Sequence, residues 1–457
     1  MRFFSKIADI WRHEELRNKI GITLGLILVY RIGAHIALPG VDVLSLKNAA
    51  GSNNDFGLEG LLDLFTGGAF NNASIFALGI MPYISASIII QLMSIAVPAV
   101  QKMQKEGESG RKKITQYTRL LTIAICLVQA PGYLLTQVKG FLDKDYSLIK
   151  NYGEQTWLIA SVIIIVCSTL VIMWLGERIT EKGVGNGISL LIMIGIIARF
   201  PESIGNEFGH EDSNAFFSVI EIAALLIVIG VCVALVQAIR KVPVQMAKLQ
   251  QGNGMIPTGG GARSFIPLKV NSSGVMPIIF AQAIMMVPLF FTASDAEQAT
   301  STFYKFMNSF TDFDGLGYNI LFFLMVFAFT FFYTAITVNP NQMADDLKRQ
   351  NSFVPGIKPG RPTAEFLDKV LSNITLPGAL FLGIVAILPA IAKSVGLVHD
   401  DGFAIFFGGT SLLIMVGVIL DTLQQIESYL LSRHYDGLMK SGKMRSRSQS
   451  PVGGLGG

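Results

Sequence analysis

The eight residues from Gly437 to Met444, GLMKSGKM, space their glycines and lysine like a phosphate-binding loop. Such a loop needs Ser or Thr after the lysine to hold magnesium, and an apolar strand before it. Met444 stands in the hydroxyl position and no such strand precedes it, so the motif carries no ATPase signature. His13, His35, His210, His399 and His434 show no metal-ligand spacing, and each reads as a surface or interface residue. Cys126, Cys167 and Cys232 all fall inside apolar runs, the setting of small buried hydrophobes rather than of a disulfide or metal site. No paired acids, histidine cluster or nucleophile constellation points to catalysis, and no cofactor is implied. What remains is polar groups in apolar surroundings. Ser85, Ser87 and Gln91 lie within SIFALGIMPYISASIIIQLM, Ser74 to Met93, and Arg31 lies within VYRIGAHI. In hydrocarbon the first three need a partner helix or a water-filled cavity, and Arg31 must snorkel to an interface or pair with a carbonyl.

The elements that hold these groups are set by composition. Of 457 residues, 51% are hydrophobic and 15% charged. The mean hydropathy is +0.52, which predicts a polytopic all-α membrane protein. The first twenty residues are amphipathic and charged, without an apolar core and small-residue cleavage site, so no cleaved signal peptide is expected. Apolar runs of membrane length begin near Ile20, Ser74, Tyr117, Trp157, Ile188, Phe216, Ser273, Tyr318, Leu371 and Phe403, about ten helices. Alternating the loops between the two sides puts 28 of the 36 lysines and arginines with the two termini, which the positive-inside rule makes cytoplasmic. Glu177, Glu221 and Asp421 fall near the ends of these runs, and no acid falls in the middle of one. That speaks against an ion-coupled carrier, which usually places a carboxylate at depth.

Gly57 to Phe70, GLEGLLDLFTGGAF, carries Leu61, Leu62 and Phe65 at helical spacing but is too short to span. It reads as a re-entrant or interfacial piece on the non-cytoplasmic side, and periodicity alone equally allows an amphipathic loop helix. Two other strings recur. Gly79-Ile80-Met81-Pro82-Tyr83-Ile84 and Gly274-Val275-Met276-Pro277-Ile278-Ile279 share Gly-x-Met-Pro-x-Ile, five spans apart. Ser189-Leu190-Leu191-Ile192-Met193 recurs letter for letter as Ser411-Leu412-Leu413-Ile414-Met415, again five spans on. Two matches at one offset argue for duplication, and an odd number of spans per half makes the halves inverted. We expect halves of residues 1–205 and 206–425 with a cytoplasmic tail over 426–457, and helices interrupted by Pro82 and Pro277 near the midplane. The sixth and eighth loops are long, basic and rich in Gly and Pro, suited to a polyanion such as ribosomal RNA or to an acidic protein surface.

The strings SIFALGIMPYISASIIIQL, EGESGRKK, GERITEKGVGNGIS, PLKVNSSGVMPIIF, ADDLKRQNSFVPGIKPG and FGGTSLLI, in this order, closely resemble the signature segments of the SecY family of bacterial translocon channels. The resemblance runs from about Arg17 to Asp436 and implies a polypeptide channel of two five-helix halves around a central pore in the bacterial cytoplasmic (inner) membrane. It places a constriction ring at Ile80, Ile84, Ile188, Ile192, Ile279 and Ile414, and a plug over 57–70 that Gly67 and Gly68 let swing. An isoleucine ring disfavours water and ions when narrow and offers a sliding chain no fixed hydrogen bond. The second and seventh spans, helped by the third and eighth, correspond to a lateral gate with Ser85, Ser87, Gln91 and Gln129 as a polar seam. Arg240, Lys241, Lys248, Lys348, Arg349, Lys358 and Arg361 fall in loops that meet the SecA motor ATPase or the ribosome. Implied partners are the small subunits SecE and SecG, SecA, the ribosome, the nascent polypeptide and other insertion factors. Two departures stand out: Lys358 replaces the family's usual arginine, exchanging a planar fork for a point charge, and the 251–254 tip lacks two family arginines. The alternative from a different class is an inverted-repeat carrier for a small solute.

Overall fold

The computed structural model describes residues 13–46, 58–143, 146–209, 215–246, 263–272, 274–285, 315–396, 398 and 401–440. Lys248, the sixth-loop tip at 251–254, the seventh run beyond Met285, the tail from 441 onward and the side chain of Leu61 lie outside them. Along the first half run α1 (Glu14–Ala34), α2 (Leu58–Thr66), α3 (Met81–Ala96), α4 (Pro98–Lys105), α5 (Glu108–Tyr133), α6 (Ser147–Tyr152), α7 (Glu154–Lys182) and α8 (Gly187–Gly209). The second half follows with α9 (Ala215–Gln237), α10 (Met276–Met285), α11 (Leu316–Thr337), α12 (Pro340–Arg349), α13 (Arg361–Ser394), α14 (Asp401–Phe406) and α15 (Gly409–Lys440). Helices α1, α3, α5, α7, α8, α9, α10, α11, α13 and α15 occupy the ten predicted runs in order.

Among the described residues seven helices are long and apolar enough to cross a membrane, and α3 with α4 makes an eighth, bent by 103°. Helix α1 misses that standard through its polar first turns and Arg31, and α10 is described over ten residues only. The outer surface matches lipid rather than water: Leu24, Leu28, Ile163, Leu226 and Ile227 are all exposed. On a soluble monomer such apolar area would be an aggregation hazard.

The two repeated strings begin their helices in the same way. Gly79 and Gly274 both adopt positive φ, +54° and +64°, and α3 and α10 then open at the Met of each motif with its proline second. Helices α8 and α15 open at Gly187 and Gly409, each two residues before Ser-Leu-Leu-Ile-Met. This local geometry corrects two expectations. Residues 75–80 form turns, so the helix does not start near Ser74, and Pro82 initiates α3 instead of interrupting it. A proline at the second helical position costs nothing, because its missing N–H would have no intrahelical acceptor. The last run also breaks after Phe406 and restarts at Gly409, whose φ is +62°. Helix α15 continues to Lys440, well past Asp421, which follows directly on the end of the apolar run at Leu420.

The sixth and eighth loops, separate in the sequence reading, form one unit. Strands β1 (Ile239–Met246) and β2 (Arg263–Lys269) make an antiparallel hairpin, with Ile239 opposite Lys269 and Gln245 opposite Arg263. Strand β3 (Ser352–Phe353), from the eighth loop, adds to the free edge of β1 in the order β2-β1-β3. Val242, Val244 and Leu268 on the hairpin bury against Leu347, Val354, Leu367 and Leu371, a small core of its own.

Candidate functional site

The largest apolar cluster of the chain is where the candidate residues meet. Ile80, Ile84, Ile192 and Ile414 are buried in it, and Ile188 and Ile279 pack against it half-buried. Leu64 and Phe65 of α2 are buried in the same cluster, with Leu62 at its margin. Isoleucines from α3, α8, α10 and α15, thus from both halves, and side chains of the short helix therefore belong to one contiguous apolar cluster. Burying an aliphatic side chain of this size contributes about 1.5–3 kcal/mol, so the cluster is strongly cohesive.

Beside it opens a polar cavity of about 720 Å³, lined by Asn186, Ser189, Asp421, Thr422, Gln424 and Gln425 among others. Asn186 is at the end of the fourth loop, and Ser189 lies one turn from Ile192.

Helix α2 is enclosed more fully than its Leu61, Leu62, Phe65 stripe suggested. Every residue from Asp63 to Phe70 is buried, so the last turn of α2 and the chain that leaves it are enclosed on all sides. Gly67 and Gly68 take φ of +65° and +91°. Gly67 also has a steric reason to be glycine: a Cβ there would lie 2.5 Å from Arg31 Nη1 and 2.9 Å from the Gly195 Cα. Gly195 of α8 approaches as closely, since its Cβ would sit 2.3 Å from the Phe65 carbonyl oxygen. Polar contacts fix the rest. Arg31 donates to the Gly67 carbonyl at 3.2 Å, the carbonyl outlet foreseen for this intramembrane charge. Asp63 pairs with Arg199 of α8 and accepts the Asn71 backbone N–H at 2.8 Å. Burial pushes the Asp63 carboxyl pKa up, while Arg199 and the Asn71 amide draw it back down. Asp63 and Arg199 were missed in the sequence, because they stand 136 residues apart with no motif joining them.

Of the seam residues, the structure joins two. Gln91 donates to Ser87 Oγ at 3.3 Å and accepts the Tyr333 hydroxyl from α11, a bond between the two halves. Tyr333 also packs on Phe280 of α10, ring centroids 4.7 Å apart. The half-buried side chains of Ser85 and Gln129 join no hydrogen bond among the described residues. Tyr333 lies in an aromatic-rich run, YNILFFLMVFAFTFFYTAIT, where nothing singles it out. Arg240, Lys241, Lys348, Arg349, Lys358 and Arg361 are all exposed around the three-stranded unit. Cys126 and Cys232 are buried as expected, but Cys167 is exposed on the apolar exterior. Among the described residues no group of three metal-ligating side chains converges.

The SecY family model matches residues 74–423 of this chain. A protein translocase subunit SecY from Streptomyces lividans is 40% identical over 443 residues, covering 95% of this chain and 99% of the relative. The chain belongs to the SecY family. A second SecY, from Mycobacterium tuberculosis H37Rv, is 40% identical over 438 residues, covering 94% and 98%. Among solved structures, a protein-conducting channel superposes with a TM-score of 0.63 at 16% identity, over 93% of this chain and 95% of the other. Sec61 in a canine ribosome-channel complex from the endoplasmic reticulum gives 0.60 at 16%, again over 93% and 95%. The SecY relatives are protein translocase subunits, and the ten-helix count agrees with this family. As a member of this family with several helices long and apolar enough to cross a membrane, the chain is a multi-pass membrane protein.

Proposed function

We propose that this SecY passes unfolded secretory polypeptides through the isoleucine cluster and releases transmembrane segments sideways between α3 and the α10–α11 pair. The observation that carries this reading is the single apolar cluster in which isoleucines from both halves and the short helix α2 meet, next to a polar vestibule. A carrier for a small solute would place its polar groups at the narrowest contact between the halves, whereas here the polar groups of the cavity lie to one side of the isoleucines. Ile80, Ile84, Ile188, Ile192, Ile279 and Ile414 act as the constriction ring, α2 as the plug, and Gln91 with Ser87 as the polar seam of the gate. The halves 1–205 and 206–425 move against each other, with both termini cytoplasmic in a bacterial inner membrane. A segment's choice between pore and lipid follows its transfer free energy, about 0.8 kcal/mol per buried CH₂. The channel itself performs no chemical step. Its driving force comes from a SecA-type motor or a translating ribosome docked on the basic three-stranded unit, and SecE- and SecG-type subunits accompany it in the membrane.

Reconstitution tests this. Proteoliposomes holding the chain with its small subunits, a motor ATPase and ATP should protect a secretory precursor from external protease. Uptake of small solutes without precursor protection would return the carrier to first place.

A further inference from the structure

Asp63 stands on a nine-residue helix, with its side chain 5% exposed, in the middle of an apolar closure. A carboxylate there is costly unless it is paired and hydrogen-bonded, and both conditions are met on one side of the helix. Arg199 of α8 supplies the charge and the Asn71 backbone the hydrogen bond. Arg199 is held in turn by Glu202, one turn further along α8, at 2.6 Å. On the other side Arg31 of α1 donates to the carbonyl of Gly67, the first residue past the helix. A cation at that position also meets the negative end of the helix dipole. The helix is thus gripped by two guanidiniums, and both belong to the first half of the chain. The close approach of Gly195 to the Phe65 carbonyl keeps its backbone against α8.

We propose that Arg199 and Arg31 are positioning residues that latch the plug in its seat, and that the Asp63–Arg199 ion pair must separate before the plug can leave. This rests on reading α2 as the plug. The grip lies within one half, whereas the Gln91–Tyr333 bond lies between halves. Loosening the gate therefore does not by itself release the plug, and the two events have separate locks. Removing Arg199 strands the Asp63 carboxylate in an apolar site, and removing the Asp63 charge leaves Arg199 to Glu202 and frees the helix, so in either case the seated plug loses more than one hydrogen bond.

The test is the ionic conductance of the idle, full-length channel with its small subunits in planar bilayers. Asp63→Asn and Arg199→Gln should each raise the idle conductance roughly tenfold or more. The exchanged pair, Asp63→Arg with Arg199→Asp, should bring it back towards the parent, which a merely structural role for either residue would not do. Arg199→Lys keeps the charge without the planar fork and should fall between, giving a graded readout if the neutral variants do not accumulate. Deletion of residues 58–66 separates the two ideas. A leaky deletion beside tight Asp63→Asn, Arg199→Gln and Arg199→Lys channels would overturn the latch and leave the plug standing. A deletion as tight as the parent would overturn the plug reading and the latch with it.

Discussion

The Tyr333 hydroxyl donates to Gln91 Oε1, tying α11 in the second half to α3 in the first. Gln91 is held from its own helix by Ser87, so the acceptor is already oriented when the halves meet. In a membrane such a bond competes only weakly with lipid, which offers no partner of its own.

Replacing Tyr333 with Phe keeps the ring against Phe280 and removes the bond alone. The closed gate should lose about 1 kcal/mol, a roughly fivefold shift towards opening. Segments of marginal hydrophobicity should then be released into lipid more often, read as the inserted fraction of a graded series of test helices. An unchanged insertion threshold would remove Tyr333 from the gate.

At Gly195 the close approach to the plug leaves no room for a side chain. Gly195→Ala puts a carbon 2.3 Å from the Phe65 carbonyl, and the helix must shift. Overpacking of this kind costs about 1–3 kcal/mol. We expect a leakier idle channel with normal expression, measured as conductance, whereas Gly205→Ala, which meets nothing within 4 Å on the same helix, should leave it tight.

The closure depends on its dryness. Ile192→Asn places an amide in the buried cluster, where without a partner it costs about 1–3 kcal/mol, and water entry is the route to satisfying it. Ion leakage should increase, while Ile192→Val, which keeps an apolar lining, should seal nearly as well. Equal leakage from both variants would mean that packing volume and not polarity makes the seal.

Leu367 is fully buried in the small core that joins the sixth and eighth loops. Leu367→Ala should cost about 2–5 kcal/mol locally and loosen β1, β2 and β3 together. Affinity for a SecA-type motor or for ribosomes should fall for both loops at once, while the membrane helices and the idle seal stay intact. Binding assays with purified channel distinguish this from a global defect.

Much of this architecture was legible because a bilayer is a strict solvent. Hydrophobic length located the ten helices. Five of the six isoleucines named from the family resemblance, all but Ile188, also lie in the repeated strings, and the fold gathers them into one cluster. Helix starts were less legible: a proline in an apolar run reads as an interruption, and only the positive φ of Gly79 and Gly274 shows that it is a first turn. The plug's enclosure was hidden for a different reason. Periodicity along Leu61, Leu62 and Phe65 describes a helix with one apolar face, but the last turn of α2 is buried on every side, so Asp63 needed Arg199 from a distant span. Pairings such as Asp63–Arg199, Gln91–Tyr333 and β1–β3 join residues far apart in the chain, and one sequence carries no local signal for them.

The most direct test of the central claim is photocrosslinking from Ile84 and Ile279, one residue in each half of the constriction, with a secretory precursor stalled in transit. The account predicts adducts to the precursor from both positions, appearing only when a translocation intermediate is engaged. No adduct from either position, in membranes that translocate the same precursor, would contradict a polypeptide path between the two halves.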